Sequence, residues 1–448
     1  MANVREMRTP DMGASLSGQR REIIALALPA TLALAADPLL SLVDTALVGR
    51  LGPHTLAALG IDAAVFATVF WLCNFLTYGT TSEVARLHAG GESDAAGARI
   101  IQALWLAIAL GALITAVLLL AGPMILKAMG ATGAVREPAL IYLRVRSVAA
   151  IPALIALVGH GAFRGLKDTR TPLRITLWLN GAAALLSWVL IYPVGWGIAG
   201  AAWGTVIAQL GAAVAFVVLL RRRLGPRATR PDLAAMRTIV RVSRDLFLRT
   251  ASLVLALLLT TAATVRMGVA TVGAHQIVRE LWVLQTLALD GFAVAAQAMI
   301  ATSLGRGELS QARREAGMLL RWGIGTGVVM GLVFLALINV LPGVFTADQG
   351  VQAQARSVWW LVALLQPIGA VVFVLDGVFL GAHDYRYLLR WTALAALGVL
   401  VPVAWLSLRL DWGLQGVWWG MLGMIVARMA ALLWRLRHWP STAARVKA

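Results

Sequence analysis

The sequence predicts an all-α membrane protein with twelve transmembrane helices, arranged as two parallel-repeat six-helix bundles. Three observations carry that reading: an apolar excess, a one-sided distribution of basic residues, and an internal repeat at a single offset. Of 448 residues, 60% are hydrophobic and only 13% are charged. Soluble domains average about 45–50% apolar and about 25% charged residues. No single soluble core absorbs so much apolar sequence, and the excess has to face lipid. A transmembrane β-barrel would show alternating segments of about ten residues, and the chain has none.

Apolar runs of roughly 18–25 residues mark the spans. They fall at 23–48, 58–80, 100–122, 137–159, 173–194, 198–220, 248–267, 273–301, 319–341, 355–380, 390–409 and 413–434. The chain holds 39 Lys+Arg against 21 Asp+Glu, a net charge of +18. In a soluble protein that balance would suggest nucleic acid. With the N-terminus in the cytoplasm, however, 30 of the 39 basic residues fall on the cytoplasmic side and seven on the other, while Arg144 and Arg146 lie inside the fourth span. The basic residues therefore record topology, with both termini cytoplasmic, and no nucleic-acid partner is expected. The densest run, 221–241, carries seven Arg and reads as a linker lying on anionic headgroups. Residues 1–21 are polar with four Arg and lack the apolar core of a cleavable signal. The one cysteine, Cys73, excludes a disulfide framework and a Cys-based metal site within the chain.

Sliding the chain against itself gives one productive offset, 216 residues. GAFRGLKDTRTPLR (161–174) lies over GVFLGAHDYRYLLR (377–390), and WGIAGAAWG (196–204) lies over WGLQGVWWG (412–420). Chance likeness between apolar segments does not hold one register across two helices and a loop. Each half holds an even number of spans, so both insert with the same orientation, and a substrate site is expected near the midplane between them. The expected organisation is a tail (1–21), an N-terminal six-helix lobe (22–220), a basic linker (221–247), a C-terminal six-helix lobe (248–436) and a second tail (437–448).

Ionisable groups inside the spans are candidates for function, because each costs at least about 2.5–3.5 kcal/mol at the bilayer centre. Asp37 and Asp44 lie two helical turns apart, about 10 Å along one face, with Pro38 between them to bend the helix. In the second half Asp290 lies over Asn74, and Asp376 lies over His160. These four positions are expected to belong to a substrate cavity, although Asp376 abuts the repeated GxFxG turn and so also fits a structural role. Among the Trp residues, Trp71, Trp105, Trp178, Trp282, Trp359 and Trp360 could line a cavity. Trp196, Trp412, Trp418 and Trp419 sit at span ends, where Trp marks membrane interfaces.

Several segments, in order along nearly the whole chain, resemble the multidrug and toxic compound extrusion (MATE) family, DinF-like branch. They are PLLSLVDTALVGRLG (38–52), YLRVRSVAAIPALIALVGHGAFRGLKDTRTPL (142–173), GWGIAGAAWGTVIAQ (195–209), GAHQIVRELWVLQTLALDGFAVAAQAMI (273–300) and LDGVFLGAHDYRYL (375–388). The resemblance implies two bundles around a central cavity and a secondary antiporter. It would work as a monomer in the bacterial cytoplasmic membrane, expelling organic, often cationic, compounds in exchange for H+ or Na+ and needing no cofactor. By the same resemblance the cation-linked carboxylate is Asp44, with Asn180 beside it. Where many relatives carry a further Asp, this chain has Ser187, which tilts the coupling ion towards protons. A flippase for a lipid-linked or amphipathic substrate is the alternative. The apparent scarcity of Arg within spans counts against it. The chain lacks Asp-rich metal motifs and a Gly-Lys-Ser/Thr phosphate loop, which argues against an integral membrane enzyme and against ATP-driven transport.

Overall fold

The computed structural model describes residues 12–225, 230–346 and 348–439. The first half comprises α1 (Met12–Gly49), α2 (Pro53–Leu72), α3 (Phe75–Ala89), α4 (Ser93–Ala128), α5 (Arg136–Ser147), α6 (Ala150–Gly165), α7 (Arg170–Ile191) and α8 (Gly197–Leu224). The second comprises α9 (Leu233–Arg266), α10 (Val269–Gly305), α11 (Leu309–Ala336), α12 (Leu341–Phe345), α13 (Gln349–Gly381), α14 (Tyr385–Ala395), α15 (Val401–Arg409) and α16 (Gly413–Arg437). Eleven stretches are long and apolar enough to cross a membrane, and α5 with α6, bent by 51°, supplies a twelfth. The twelve expected spans thus all have a helical counterpart. In a membrane only a helix satisfies its own backbone groups within one segment, so every apolar run becomes one. A π-helical turn, Ala396–Leu400, joins α14 to α15 just ahead of Pro402, whose ring displaces the hydrogen bond to the preceding turn.

The repeat extends to the backbone at several helix starts and turns, although α13 is continuous where α5 and α6 are broken and α10 where α2 and α3 are. At one offset of 216, α2 and α10 begin at Pro53 and Val269, α4 and α11 begin at Ser93 and Leu309, and α8 and α16 begin at Gly197 and Gly413. The turns also match: φ is 120° at Gly52 and 119° at Gly268, and 59° at both Lys167 and His383. The GxFxG glycines explain why that motif was kept twice. A Cβ on Gly161 would stand 2.6 Å from the Thr77 carbonyl oxygen, and one on Gly165 would stand 2.7 Å from that of Thr81. In the second half Gly377 meets the Ala293 carbonyl in the same way, and a Cβ on Gly381 would stand 2.7 Å from that of Gln297. Glycine lets α6 press on α3, and α13 on α10, backbone to backbone.

After each motif an aspartate holds an arginine from the last helix of its half. Asp168 accepts from Arg223 at 2.8 Å, and Asp384 pairs with Arg435 at 2.7 Å. Burial pushes the Asp168 carboxyl up, but the Thr171 amide and hydroxyl and the Arg223 guanidinium together hold it below its ordinary value. The halves meet where α1 and α3 pack on α10; at the seam Ser82 Oγ of α3 and Tyr385 OH of α14 share a 2.8 Å hydrogen bond, and Gln297 Nε2 of α10 donates to the Tyr78 carbonyl at 2.6 Å.

Two sequence expectations change here. Trp196, Trp412 and Trp419 are about half exposed, as membrane-interface residues should be, but Trp418 is fully buried in the second half. Several arginines assigned by position to the cytoplasmic side are also buried within the protein: Arg164, Arg249 and Arg428 are 7%, 8% and 5% exposed. Arg249 and Arg428 both donate to Asp376 Oδ2, at 2.6 and 2.5 Å. Asp376 is only 6% exposed, so this is an ion triad inside the bundle, built from α9, α13 and α16.

Two stability predictions follow from this packing. Gly381→Leu should lower the midpoint of thermal unfolding in detergent, by about 1–3 kcal/mol of overpacking, whereas Gly181→Ala, which meets nothing within 4 Å, should leave it unchanged or raise it. Asp376→Asn should cost about 3–5 kcal/mol by stranding two buried guanidinium groups, and the triple change Arg249→Met, Asp376→Leu, Arg428→Met should recover most of the loss. Size-exclusion profiles after stepwise heating measure both.

Candidate functional site

A cavity of about 750 Å³ lies within the first half, walled by α1, α2, α3, α5, α6, α7 and α8. Four of the expected site residues meet on its surface: Asp44 from α1, Asn74 at the α2–α3 turn, His160 from α6 and Asn180 from α7. Asp44 is half-buried, and its Oδ1 is a buried atom with no hydrogen bond. His160 approaches the Thr176 hydroxyl at 3.5 Å through Nε2, and its ring lies 5.0 Å from that of Phe216. Pro29 and Pro38 interrupt the hydrogen bonding of α1 on the N-terminal side of Asp44. Asp37 falls within α1, but its side chain lies outside the described residues.

Two expected cavity residues are elsewhere. Asp376 is held in the Arg249–Asp376–Arg428 triad and does not line the cavity, and neither does Asp290, which lies on α10 in the second half. The reason is visible in the repeat. The triad positions correspond at the 216 offset to Ala33, His160 and Ala212, all three of which line the first-half cavity. Two alanines and a neutral-sized imidazole leave space in one half, and two arginines and an aspartate fill the matching region of the other. Ser187 is fully buried and faces α8, where its hydroxyl reaches the Ala201 carbonyl at 3.4 Å. Gly204 accommodates it there, since a Cβ at that position would stand 2.7 Å from Ser187 Oγ. Of the six Trp residues considered, Trp71 is on the wall, whereas Trp178 is 81% exposed and Trp359 is buried with Nε1 donating to the Phe334 carbonyl at 2.6 Å.

The residues that sequence reasoning underrated are the arginines. Arg146 and Arg164 both line the cavity. Arg146 Nη1 donates to Gln209 Oε1 at 2.9 Å, and its guanidinium carbon lies 5.3 and 5.8 Å from the Phe66 and Phe70 rings. By its position near the end of a span, Arg164 falls among the cytoplasmic-side charges in the sequence. The register offers one signal for Arg164, which lies over Leu380 in the repeated motif, but nothing in the sequence joins Arg249, Asp376 and Arg428 before the helices pack.

Comparison with known proteins agrees with this architecture. The MatE family model matches residues 29–189 and 246–406, one copy in each half. The chain is 34% identical over 441 residues to Protein DETOXIFICATION 44, chloroplastic, of Arabidopsis thaliana, covering 95% of this chain and 84% of the relative. It is 28% identical over 447 residues to DNA damage-inducible protein F of Escherichia coli (strain K12), covering 95% and 94%. Its fold matches the crystal structure of a MATE in the bent conformation with a TM-score of 0.88 at 22% identity, over 95% of this chain and 97% of the other. With both copies of the family model spanning most of its length, the chain belongs to the MatE family and is an integral membrane transporter, not an enzyme.

Proposed function

We propose that the protein is a secondary antiporter that exports a small organic compound through the first-half cavity in exchange for protons, by alternating access, with Asp44 as the coupling group and Asn180 beside it. The observation that carries this reading is the internal comparison between halves. At the 216 offset Asp44 corresponds to Thr260 and Asn180 to Ala396, and both of those residues are fully buried in the second half. The same fold therefore forms without a carboxylate or an amide at these places. An acid kept where folding does not need one, and opening on a cavity, is spent on function.

The mechanism follows from the cost of charge in a membrane. Ionised Asp44 needs the water of the open cavity, and protonation removes that need. Protonated, α1 is free to bend at Pro29 and Pro38 and to close on the cavity, which displaces the occupant. Proton and substrate are then alternative occupants, which is the condition for antiport. The absence of a second carboxylate at Ser187 supports protons over Na+. The basic residues concentrated on one side support a bacterial cytoplasmic membrane with both termini inside. A monomer is sufficient, because the cavity is complete within one chain.

A second reading, a flippase for a lipid-linked or amphipathic substrate, gains weight from Arg146 and Arg164 on the cavity wall. The expected result for the first reading is that Asp44→Asn in proteoliposomes abolishes substrate efflux driven by an imposed pH gradient, with yield and monodispersity unchanged. Undiminished gradient-driven transport by that variant would sink the assignment. Full efflux under a Na+ gradient with no pH gradient would replace the coupling ion.

A further inference from the structure

We infer that Asp62 of α2 is a second proton-carrying carboxyl in the first half. It holds its proton in the conformation seen here and releases it when the face of α2 that packs on α5 turns towards the cavity. This rests on the proton-antiport reading and adds to it a group that lies off the cavity wall.

The surroundings of Asp62 come first. It is fully buried, and neither carboxyl oxygen has a hydrogen-bond partner among the described residues. It lies nine residues into α2 from Pro53, about 14 Å along the helix axis, well inside a hydrocarbon core of about 30 Å. Its neighbours along the helix, Ala58, Leu59, Val65 and Phe66, belong to an apolar core with Ala139 and Leu143 of α5. Tyr142 of α5 is the titratable group beside it. No described charge pairs with it. On α5, Arg136, Glu137 and Arg144 are exposed, and Arg146 donates to Gln209 and lies over the Phe66 and Phe70 rings. On α1, Arg50 is exposed and Asp44 opens on the cavity, and on α2 itself His54 is exposed. On α9, Arg244 pairs with Asp245, Arg249 is held by Asp376, and Arg266 donates to the Ala262 carbonyl. An ionised carboxylate with neither a cation nor water is too costly in such a place, so the group is carried as the neutral acid.

The second observation is again the internal comparison. At the 216 offset Asp62 corresponds to Val278 of α10, which is 0% exposed. A valine therefore satisfies the packing at this place in the same fold. A carboxyl there leaves a hydroxyl donor and acceptor oxygens unsatisfied even when neutral, so packing alone disfavours it. Of the ligands open to a lone buried carboxyl, the proton is the one that needs no further protein group to bind.

The third observation is the path for that proton, which is one side chain thick. Leu59 and Phe66 stand about 60° and about 40° round the helix from Asp62, and both line the cavity. Turning α2 by a comparable angle moves them aside and brings the carboxyl to cavity water. Its O–H bond then breaks, the proton passes to water, and the electron pair stays on the hydrated carboxylate. The joint for such a turn exists in this half alone. α2 ends in a turn at Cys73 and Asn74 before α3 begins, whereas α10 runs unbroken through the matching residues, Leu289 and Asp290.

The test is infrared difference spectroscopy combined with hydrogen–deuterium exchange, on the full-length protein in phosphatidylcholine nanodiscs, between about pH 5 and pH 9. At the acid end the wild type should show the carbonyl stretch of a protonated carboxyl that Asp62→Asn lacks and Asp44→Asn keeps. As the pH rises that band should vanish, and deuterium uptake by α2 should increase several-fold beyond the change in chemical exchange rate. Asp62→Asn should show no such increase. Asp62→Val, which installs the residue of the matching place, should behave in the same way and carries the test if the asparagine variant does not fold. Three results each overturn the inference: no band lost in either variant, a band that persists unchanged across the range, or the same rise in α2 exchange in wild type and variants. No gradient and no cargo are needed, so the two readings fail separately. Loss of the antiport reading shows in the efflux assay with this band intact, and loss of this inference shows in the band with efflux intact.

Discussion

The constraint on which the rest of the structure depends is that a charge inside a membrane needs either a partner or water. The two halves of this protein answer it in opposite ways. In the second half Asp376 is closed between Arg249 and Arg428, and the bundle around it is filled. In the first half the matching places hold Ala33, His160 and Ala212, and the room they leave becomes the cavity on which Asp44, Arg146 and Arg164 open. One backbone, duplicated, thus provides a buried ion triad in one half and, at the matching places, a cavity wall in the other.

That division assigns labour by packing as well as by charge. The contacts that had to stay the same in both halves are those where glycine admits a neighbouring backbone: Gly161 and Gly165 on α3, Gly377 and Gly381 on α10. They set the distance between helices, and a side chain there would change it. The positions that were free to diverge line the interior, where Asp44 became paired in register with Thr260, Asn180 with Ala396, Arg146 with Val362 and Gln209 with Ile425. Each of these differences exchanges a polar group for one that the low-dielectric interior accepts without cost. The second half therefore serves as an internal reference for what folding alone requires.

The seam between halves has a different chemistry again. Its polar contacts are mainly neutral hydrogen bonds, with Ser82 on Tyr385 and Gln297 on the Tyr78 carbonyl, beside a longer His383–Glu83 contact at 3.3 Å, and an apolar core that includes Ile23, Leu76 and Met299 runs across it. Neutral hydrogen bonds contribute about 0.5–1.5 kcal/mol each net, so they orient the halves while the shared apolar core holds them together.

The sequence by itself determined the number of spans, their helicity and the duplication, because these follow from local and periodic properties: apolar length, the side on which basic residues fall, and one register of identities. It also singled out Asp44, since an acid in an apolar run is conspicuous wherever its neighbours lie. Only the tertiary structure decided which polar residues share a space. Arg249, Asp376 and Arg428 come from three helices that are distant in the chain, so their mutual neutralisation is invisible in a linear count that assigns the two arginines to the cytoplasmic side. Asp290 and Asp376 were expected at the cavity because they register with Asn74 and His160. Register places a residue on a helix face, but whether that face meets a void or a counterion depends on the side chains of the other helices. For the same reason the presence of Arg146 and Arg164 on the cavity wall could be read only after the helices were brought together.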